Sequence, residues 1–169
     1  MSVWIETERL VMREFNVEDV DAVFEFGRSA EVGRYTMDRI IRSKDEAREI
    51  IEDIWLPEYR RYGYARYALV HKADQRVIGF CGLKYEPSLG APDLGYRMLP
   101  EYWGQGLGRE AAAAALHYGQ NTLGLDAIMA EVVVDNEASR RILIGLGFHC
   151  VKTYELEGHQ IERYLCERK

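Results

Sequence analysis

Apolar and polar side chains follow two spacings along this chain, an alternation typical of strands and a three-to-four-residue spacing typical of helices. Alternation from residue 7 to residue 15 predicts a first strand there. Asn16 then offers an N-cap oxygen to a short helix whose apolar face includes Val20, Val23 and Phe24. The chain is therefore expected to begin with a strand followed by a helix.

A second helix is predicted after Ser43. The segment from Ser43 to Glu46 has the form of a capping box, in which each side chain satisfies the other residue's free backbone N–H. Apolar side chains recur at helical spacing from residue 47 to residue 54, so we expect this helix to end near Trp55, before Pro57.

The second half of the chain contains runs rich in β-branched and aromatic residues, separated by turn-forming residues. The predicted strands cover residues 64–71, 77–85, 93–99, 128–134, 150–156 and 161–166. The short connections between the first three of these strands imply antiparallel neighbours.

Two helices are predicted between these later strands. Residues 109–122 are strong helix formers, and a further helix begins at a cap from Asp135 or Asn136 and ends near Gly147. The side chains of this last helix that are expected to face inward are Ala138, Ile142 and Leu146. The order of elements predicts an α+β fold whose sheet is antiparallel at first and contains one strand, helix, strand crossover late in the chain.

Composition and charge limit the classes of protein that fit this pattern. The 169 residues, of which 47% are hydrophobic, suit one packed domain spanning residues 1–169. A net charge of -6 has the wrong sign for a nucleic-acid-binding surface. The chain shows neither a secretion signal nor a long apolar stretch, so we expect a cytoplasmic protein without a membrane partner.

The cysteine and histidine residues form no metal-binding pattern in the sequence. Cys81, Cys150 and Cys166 are odd in number and lack ligand spacing, so we expect buried thiols in a reducing compartment. The four histidines are scattered, with no pair at ligand spacing. We therefore expect no metal cofactor.

The segment from Trp103 to Gly108 carries three alternate glycines between a predicted strand and a predicted helix. Glycine lets the main chain approach a ligand closely, so several N–H groups can converge on an anion at the start of a helix. The helix dipole favours the same anion, and Arg109 can add a charged donor. An ordinary tight turn between strand and helix is the alternative interpretation.

Two other phosphate-binding loops do not match this segment. A P-loop ends in Gly-Lys followed by Ser or Thr, whereas this chain has Gly108-Arg109-Glu110. A dinucleotide-binding loop needs Gly-x-Gly-x-x-Gly, and about 60 residues after Gly108 are too few for a doubly wound sheet. Kinase, GTPase and dinucleotide-binding functions are therefore disfavoured.

Five short segments, taken in order, resemble the GNAT superfamily of acetyl-CoA-dependent N-acetyltransferases, and in particular its RimJ/RimL-like branch. They are Thr7 to Arg13, Glu31 to Tyr35, Leu94 to Tyr96, Trp103 to Ala111, and Asn136-x-x-Ser139 with Leu146-Gly147-Phe148. The resemblance covers nearly the whole chain. It implies a mixed, mostly antiparallel, splayed sheet flanked by about four helices, with acetyl-CoA in the splay and an amine acceptor entering from the opposite side.

Two positions depart from the superfamily pattern. The superfamily's coenzyme loop usually begins with Arg or Gln, whereas this chain has Trp103, so backbone N–H groups must contribute more to phosphate binding. Many members place a Tyr on the last helix to protonate the leaving thiolate, and the matching position here is Leu143. Ser139 or a water molecule is then the candidate proton donor.

The resemblance implies a coenzyme site at the glycine-rich turn and the last helix. Asn136 can form hydrogen bonds with the amides of the pantetheine arm, a role that is compatible with capping the helix. The residues expected to bind acetyl-CoA are Trp103, Gly104, Gln105, Gly106, Leu107, Gly108, Arg109, Asn136 and Ser139.

Transfer of an acetyl group from a thioester to an amine requires a neutral amine. At pH 7 a lysine amine, with a pKa of about 10.4, is less than roughly a thousandth neutral, whereas an α-amine with a pKa of about 7.7–8.0 is roughly a tenth neutral. Asp93 is the expected general base, directly or through a water, and a solvated turn carboxylate is its alternative interpretation. Other expected acceptor-site residues are Glu86, which can substitute as base, and Tyr35 and Asp38 in the loop before the second helix.

These expectations describe an acetyl-CoA-dependent N-acetyltransferase that acts by direct attack in a ternary complex. A protein or peptide N-terminal α-amine is the favoured acceptor, and a small amine of the polyamine or aminoglycoside type is the second. A non-catalytic acyl-CoA-binding module is the alternative from a different class. We expect a monomer or a homodimer with no nucleic-acid partner.

Overall fold

One mixed, open sheet forms the centre of the computed structural model, which describes residues 2–31, 33 and 40–169. Its strands are β1 (Trp4–Glu6), β2 (Leu10–Arg13), β3 (Arg66–His71), β4 (Arg76–Glu86), β5 (Ala91–Met98), β6 (Ala127–Val133), β7 (His149–Leu156) and β8 (His159–Glu167). The eight strands lie in the order β1-β2-β3-β4-β5-β6-β8-β7. This arrangement confirms the predicted α+β fold.

The helices flank this sheet. Those that lie wholly within the described residues are α1 (Val20–Gly27), α2 (Lys44–Glu49), α3 (Leu56–Tyr62), α4 (Leu107–Asn121) and α5 (Glu137–Gly145). Two short 3₁₀ helices cover Val17–Asp19 and Pro100–Tyr102, and a π-helical segment, Ile50–Trp55, joins α2 to α3.

The predicted strand over residues 7–15 is wrong in its limits. Thr7 N donates to Leu10 O over 2.9 Å, and this turn separates β1 from β2. Asn16 caps the following 3₁₀ helix as predicted, because its Oδ1 accepts a hydrogen bond of 2.8 Å from Glu18 N. The capped 3₁₀ helix leads directly into α1.

The helix that begins after Ser43 continues beyond its predicted end and includes Pro57. Ser43 Oγ accepts from Glu46 N over 3.1 Å as predicted, but the Glu46 carboxylate accepts from Arg42 N instead of Ser43 N. The π-helical segment Ile50–Trp55 precedes the proline. Because the wider π turn already interrupts the α-helical hydrogen-bond ladder, the missing N–H of Pro57 is tolerated in the first turn of α3.

Helices cover both faces of the central strand β4, whose residues 78–83 are all buried. On one face, Phe80 packs edge-on against Phe26 of α1, with 6.1 Å between ring centroids. On the other face, Leu83 lies against α4, where a Cβ added at Gly119 would come within 2.6 Å of Leu83 Cδ1. Burial on both faces explains the nearly continuous apolar run of this strand.

The predicted strand, helix, strand crossover consists of β5, α4 and β6. β5 and β6 are parallel and pair at Asp93 and Met129, whereas the other neighbouring strands of the described sheet are antiparallel. The face of α4 that packs on the sheet is rich in alanine, which allows a close approach, and its buried alanines are Ala111, Ala112 and Ala115. The crossover places the start of α4 beside the end of β5.

The predicted burial of two side chains is wrong. In α5 the buried side chain is Leu143, whereas Ala138 is exposed, because only a narrow stripe of this short helix contacts the sheet. Cys150 is exposed because β7 is an edge strand that leaves most of its side chains in solvent. The other two cysteines, Cys81 and Cys166, are buried as predicted.

Within residues 2–31, 33 and 40–169, no helix combines the length and the apolar character needed to cross a bilayer. The same residues contain no group of three or more His, Cys, Asp or Glu side chains that could hold a metal ion. The predicted acceptor contacts Tyr35 and Asp38 lie outside the described residues.

Candidate coenzyme and acceptor site

The gap between β5 and β6 is the feature around which the candidate site is built. The two strands pair at Asp93 and Met129. Beyond this pair two cavities open beside β5, and α5 contributes residues to the walls of both. The gap is therefore the splay that the resemblance implied.

The edge of β5 that faces this gap offers backbone donors. Leu99 N donates to Ile78 O over 2.9 Å, and the unbroken register places every second residue of β5 in the same type of bond with β4. Because successive N–H groups of a strand point to opposite edges, those of Tyr96 and Met98 point away from β4. These two N–H groups therefore face the gap.

Side chains on the two faces of β5 point to opposite sides of the sheet. Asp93 shares a face with Phe80, because Phe80 pairs with Arg97 and side chains four residues apart in a strand point the same way. Tyr96 points to the other face, where a Cβ added at Gly108 would lie 3.2 Å from Tyr96 Cε2. The gap thus connects the region beside α4 with the opposite face of the sheet.

The larger cavity, of about 620 Å³, lies between the end of β5, the glycine-rich turn and the start of α5. Its walls include most of the residues predicted to bind the coenzyme, namely Trp103, Gly104, Gly106, Leu107, Gly108, Arg109, Asn136 and Ser139. Two segments separated by about 30 residues in the sequence therefore form one cavity.

The glycine-rich turn has a left-handed backbone at two positions. The φ angle is 75° at Gly104 and 82° at Gly106, a region that favours glycine. α4 begins at Leu107, so its first N–H groups are available to a ligand in the cavity. Trp103 Nε1 donates to Met98 O over 2.8 Å, so this indole anchors the head of the turn to β5.

Two residues change the predicted composition of this site. The Gln105 side chain turns away from the cavity, and its Nε2 donates to Glu101 O over 3.2 Å. Arg141 of α5, which the sequence analysis missed, lines the same cavity as Arg109. No local pattern marks Arg141, because only the packing of α5 beside the turn brings it to the same cavity as Arg109.

The smaller cavity, of about 230 Å³, contains Asp93. The Asp93 carboxylate accepts a hydrogen bond of 2.8 Å from Arg66 Nη2, and 20% of its side chain is exposed. Burial raises the pKa of the Asp93 carboxyl, and the adjacent Arg66 guanidinium opposes this shift. The alternative interpretation of Asp93 as a solvated turn carboxylate is therefore wrong.

Arg66 fits beside Asp93 because Gly95 has no side chain. A Cβ added at Gly95 would lie 2.6 Å from Arg66 Nη2. Arg66 Nη1 also donates to Gly82 O over 2.6 Å and to Asp93 O over 2.8 Å, which fixes the guanidinium. Gly95 of β5 thus makes room for an arginine from β3.

Two further carboxylates line the smaller cavity. Glu86, which was predicted, accepts a hydrogen bond of 3.0 Å from Ser88 Oγ. Glu131, which the sequence analysis missed, accepts from Tyr154 OH and from Arg163 Nε. Carboxylates from three positions therefore face a cavity whose other walls are largely apolar, which suits a protonated amine.

Tyr96, Asn136 and Ser139 line both cavities and so mark their junction. Tyr96 OH and Ser139 Oγ lie 2.7 Å apart. Burial raises the pKa of the Tyr96 phenol to about 12, against the opposing effect of its bond to Ser139. Asn136 Oδ1 accepts from Ser139 N over 3.3 Å as the predicted helix cap, which helps to fix Ser139 at this point. The sequence analysis missed the Tyr96 phenol.

Comparison with known proteins identifies the family that shares this architecture. The sequence model of the acetyltransferase (GNAT) domain matches residues 9–149. The chain belongs to the GNAT family. A GNAT relative in Bacillus subtilis (strain 168), the uncharacterized N-acetyltransferase YoaA, is 30% identical over 145 residues, which are 85% of this chain and 81% of the relative.

Solved structures of acetyltransferases share the fold. RimL, a ribosomal L7/L12 α-N-protein acetyltransferase solved in complex with coenzyme A, superposes with a TM-score of 0.83 at 20% identity, over 98% of each chain. A ribosomal-protein-S5-alanine acetyltransferase from Vibrio fischeri gives a TM-score of 0.81 at 18% identity, over 98% of this chain and 97% of that one.

As a member of the GNAT family, the protein is an acetyl-CoA-dependent N-acetyltransferase. The glycine-rich turn fits this cosubstrate, because nothing lies within 4 Å of the Cβ position of Gly104 and a phosphate can approach the main chain there. Two arginines, Arg109 and Arg141, belong to the cavity wall, and Arg141 Nη2 lies 3.1 Å from Glu137 Oε1. The acceptor is therefore an amine.

Proposed function

We propose that this GNAT acetyltransferase transfers the acetyl group to the α-amine of a protein or peptide N-terminus. The observation that carries the proposal is that the candidate base, Asp93, is an ion-paired carboxylate inside a small acidic cavity. A carboxylate is a weak base, so it serves best an amine that is already partly neutral. An α-amine with a pKa of about 7.7–8.0 meets this condition better than a lysine amine with a pKa of about 10.4.

The dimensions of the acceptor cavity favour the same class. A volume of about 230 Å³ can hold the first residue of a peptide. The apolar part of its wall, which includes Leu94, Val132 and Leu156, suits the side chain of that first residue. The likeness in fold to ribosomal-protein acetyltransferases supports a place in the RimJ/RimL-like branch.

In this proposal the cosubstrate lies in the larger cavity. The N–H groups of Gly104, Gly106 and Gly108 bind the pyrophosphate together with the positive end of α4. Arg109 and Arg141 supply charged donors to the phosphates. Asn136 binds amide groups of the pantetheine arm while it caps α5.

The acceptor reaches the thioester through the gap from the opposite face of the sheet. Asp93 lies on that face and accepts a proton from the incoming amine, directly or through a water. The N–H groups of Tyr96 and Met98 face the gap and stabilise the negative charge that develops on the thioester oxygen. The amine then attacks the acetyl group in a ternary complex with no covalent enzyme intermediate.

Departure of the thiolate requires a proton at the junction of the two cavities. Ser139 Oγ donates that proton to the sulfur and regains one from solvent, while Tyr96 OH donates a hydrogen bond to Ser139 Oγ. A phenol with a pKa raised to about 12 stays protonated at neutral pH, so it remains a donor throughout the reaction. Many members of the superfamily have a Tyr on the last helix, where this chain has Leu143. In this protein the phenol comes from Tyr96 of β5 instead.

A matched panel of acceptors tests the choice of substrate. Acetyl-CoA consumption is measured with peptides that carry a free α-amine and an internal lysine, with the same peptides N-formylated, with spermidine and with an aminoglycoside. We expect acetylation of the free peptide α-amines, verified by mass spectrometry, and rates at least about tenfold lower for the N-formylated peptides, as the difference in neutral fraction requires. Equal or faster acetylation of blocked peptides, spermidine or the aminoglycoside would overturn the proposal.

A further inference from the structure

The segment Thr7 to Arg13 resembles a family signature, yet it lines neither cavity. Its contacts lead instead to the first turn of α4. Glu110 Oε2 accepts hydrogen bonds from Thr7 Oγ1 over 2.6 Å and from Arg9 N over 2.9 Å, and Glu110 Oε1 accepts from Arg9 Nε over 2.8 Å. The turn between β1 and β2 is thereby fastened to the helix that starts at the glycine-rich turn.

Arg9 also holds the glycine-rich turn itself. Arg9 Nη1 donates to Gln105 O over 2.8 Å. In a planar trans peptide the C=O and the following N–H point in opposite directions, so a Gln105 carbonyl directed at Arg9 turns the Gly106 N–H away from Arg9. Gly106 lines the larger cavity and Arg9 does not, so an N–H turned away from Arg9 is available to that cavity.

The charge of Arg9 has a second consequence for the turn. Burial alone raises the pKa of Glu110, but hydrogen bonds from Thr7 and Arg9 outweigh it and hold this pKa below its usual range. Glu110 is therefore ionised within the first turn of α4. An uncompensated carboxylate there would repel a phosphate, and the Arg9 ion pair neutralises it.

We infer that Arg9 is a positioning residue for acetyl-CoA, because it fixes the Gly106 N–H toward the pyrophosphate and neutralises Glu110 beside it. The inference rests on the proposed place of the coenzyme at the glycine-rich turn. The segment Thr7 to Arg13 thereby acquires a role in coenzyme binding, although it does not line the cavity in which the coenzyme would lie. Arg9 itself lines neither cavity, so it acts through Gln105 and Glu110.

The test compares acetyl-CoA with an acyl donor that lacks the pyrophosphate together with the 3′-phosphoadenosine attached to it. The Arg9→Gln variant is expected to raise KM for acetyl-CoA roughly tenfold, as loss of a charge-assisted hydrogen bond implies, with kcat within about twofold. S-acetylpantetheine carries the same thioester without the pyrophosphate, so its kcat/KM should change less than about twofold. A structural defect would lower the rates with both donors.

Lys72→Gln is the matched control. Lys72 Nζ donates to Thr7 O and Glu6 Oε2 over 2.6 Å each, so this change loosens the same turn without touching Gln105 or Glu110. KM for acetyl-CoA should stay within about twofold in this variant. An Arg9→Gln variant that binds coenzyme A as tightly as the unmodified protein in a calorimetric titration, or that loses activity equally with both donors, would overturn the inference. Failure of the unmodified protein to bind coenzyme A would instead reject the proposed coenzyme site.

Discussion

Replacing Gly106 with valine is expected to weaken acetyl-CoA binding by roughly 100-fold while the fold is retained. Gly106 has a φ angle of 82°, which strains a β-branched residue, and a Cβ there would already lie 3.4 Å from Arg9 Nη2. The turn must therefore adopt another backbone conformation and lose the convergence of its N–H groups. Gly106 is exposed, so the core is unaffected. Calorimetric titration with acetyl-CoA measures the change.

The Gly63→Val variant provides the control for backbone strain. Gly63 ends α3 with a φ angle of 81°, and nothing lies within 4 Å of its Cβ position. Both variants should lose similar stability in thermal unfolding, whereas only Gly106→Val should lose affinity. Undiminished affinity in Gly106→Val, or an equal loss in the two variants, would contradict the assignment of the turn to the coenzyme.

Replacing Asp93 with asparagine is expected to lower kcat/KM by about 100-fold at pH 7 and to leave coenzyme affinity unchanged. Asparagine retains an oxygen for the hydrogen bond from Arg66 but cannot accept a proton. Because burial raises the pKa of Asp93, the active carboxylate form of the unmodified enzyme is lost as the pH falls through that pKa. The Asp93→Asn variant has no carboxylate to protonate, so its kcat/KM should not show this fall. The difference in kcat/KM between the variant and the unmodified enzyme should shrink at high pH, where the acceptor amine is already neutral.

The comparison variant for this prediction is Glu86→Gln, which removes a second carboxylate from the same cavity. We expect a loss of less than about tenfold in kcat/KM for Glu86→Gln, with the low-pH limb of the profile retained. An unchanged pH–rate profile in Asp93→Asn removes Asp93 from the mechanism. A larger, pH-dependent loss in Glu86→Gln would assign the base to Glu86.

The parts of the candidate site that the sequence predicts are those with local signals. The glycines of the turn are recognisable because two of them need a left-handed backbone between a strand and a helix. The Asn136 cap is recognisable because the hydrogen bond it forms is to a residue three positions away. Short connections likewise predict the antiparallel strands, since neighbouring elements in sequence pair in space.

The parts that sequence analysis missed depend on contacts between distant segments. Arg66 and Asp93 are 27 residues apart, and Tyr96 and Ser139 are 43 residues apart. No periodicity marks either pair, because the sheet register and the packing of α5 bring the side chains together. Tyr96 lies two residues after Leu94, on the same face of the strand, so its spacing is that of a core residue. Only the structure shows that its hydroxyl lies at the junction of two cavities.

The central claim is that the two cavities are the coenzyme and acceptor halves of one site, joined at Tyr96 and Ser139. A crystal structure of the protein with bound coenzyme A tests it most directly. We predict that the pyrophosphate accepts hydrogen bonds from the N–H groups of Gly104, Gly106 and Gly108, and that the thiol lies within hydrogen-bond distance of Ser139 Oγ. Pyrophosphate bound away from the glycine-rich turn, or a thiol remote from the Tyr96 and Ser139 hydroxyls, would contradict the account.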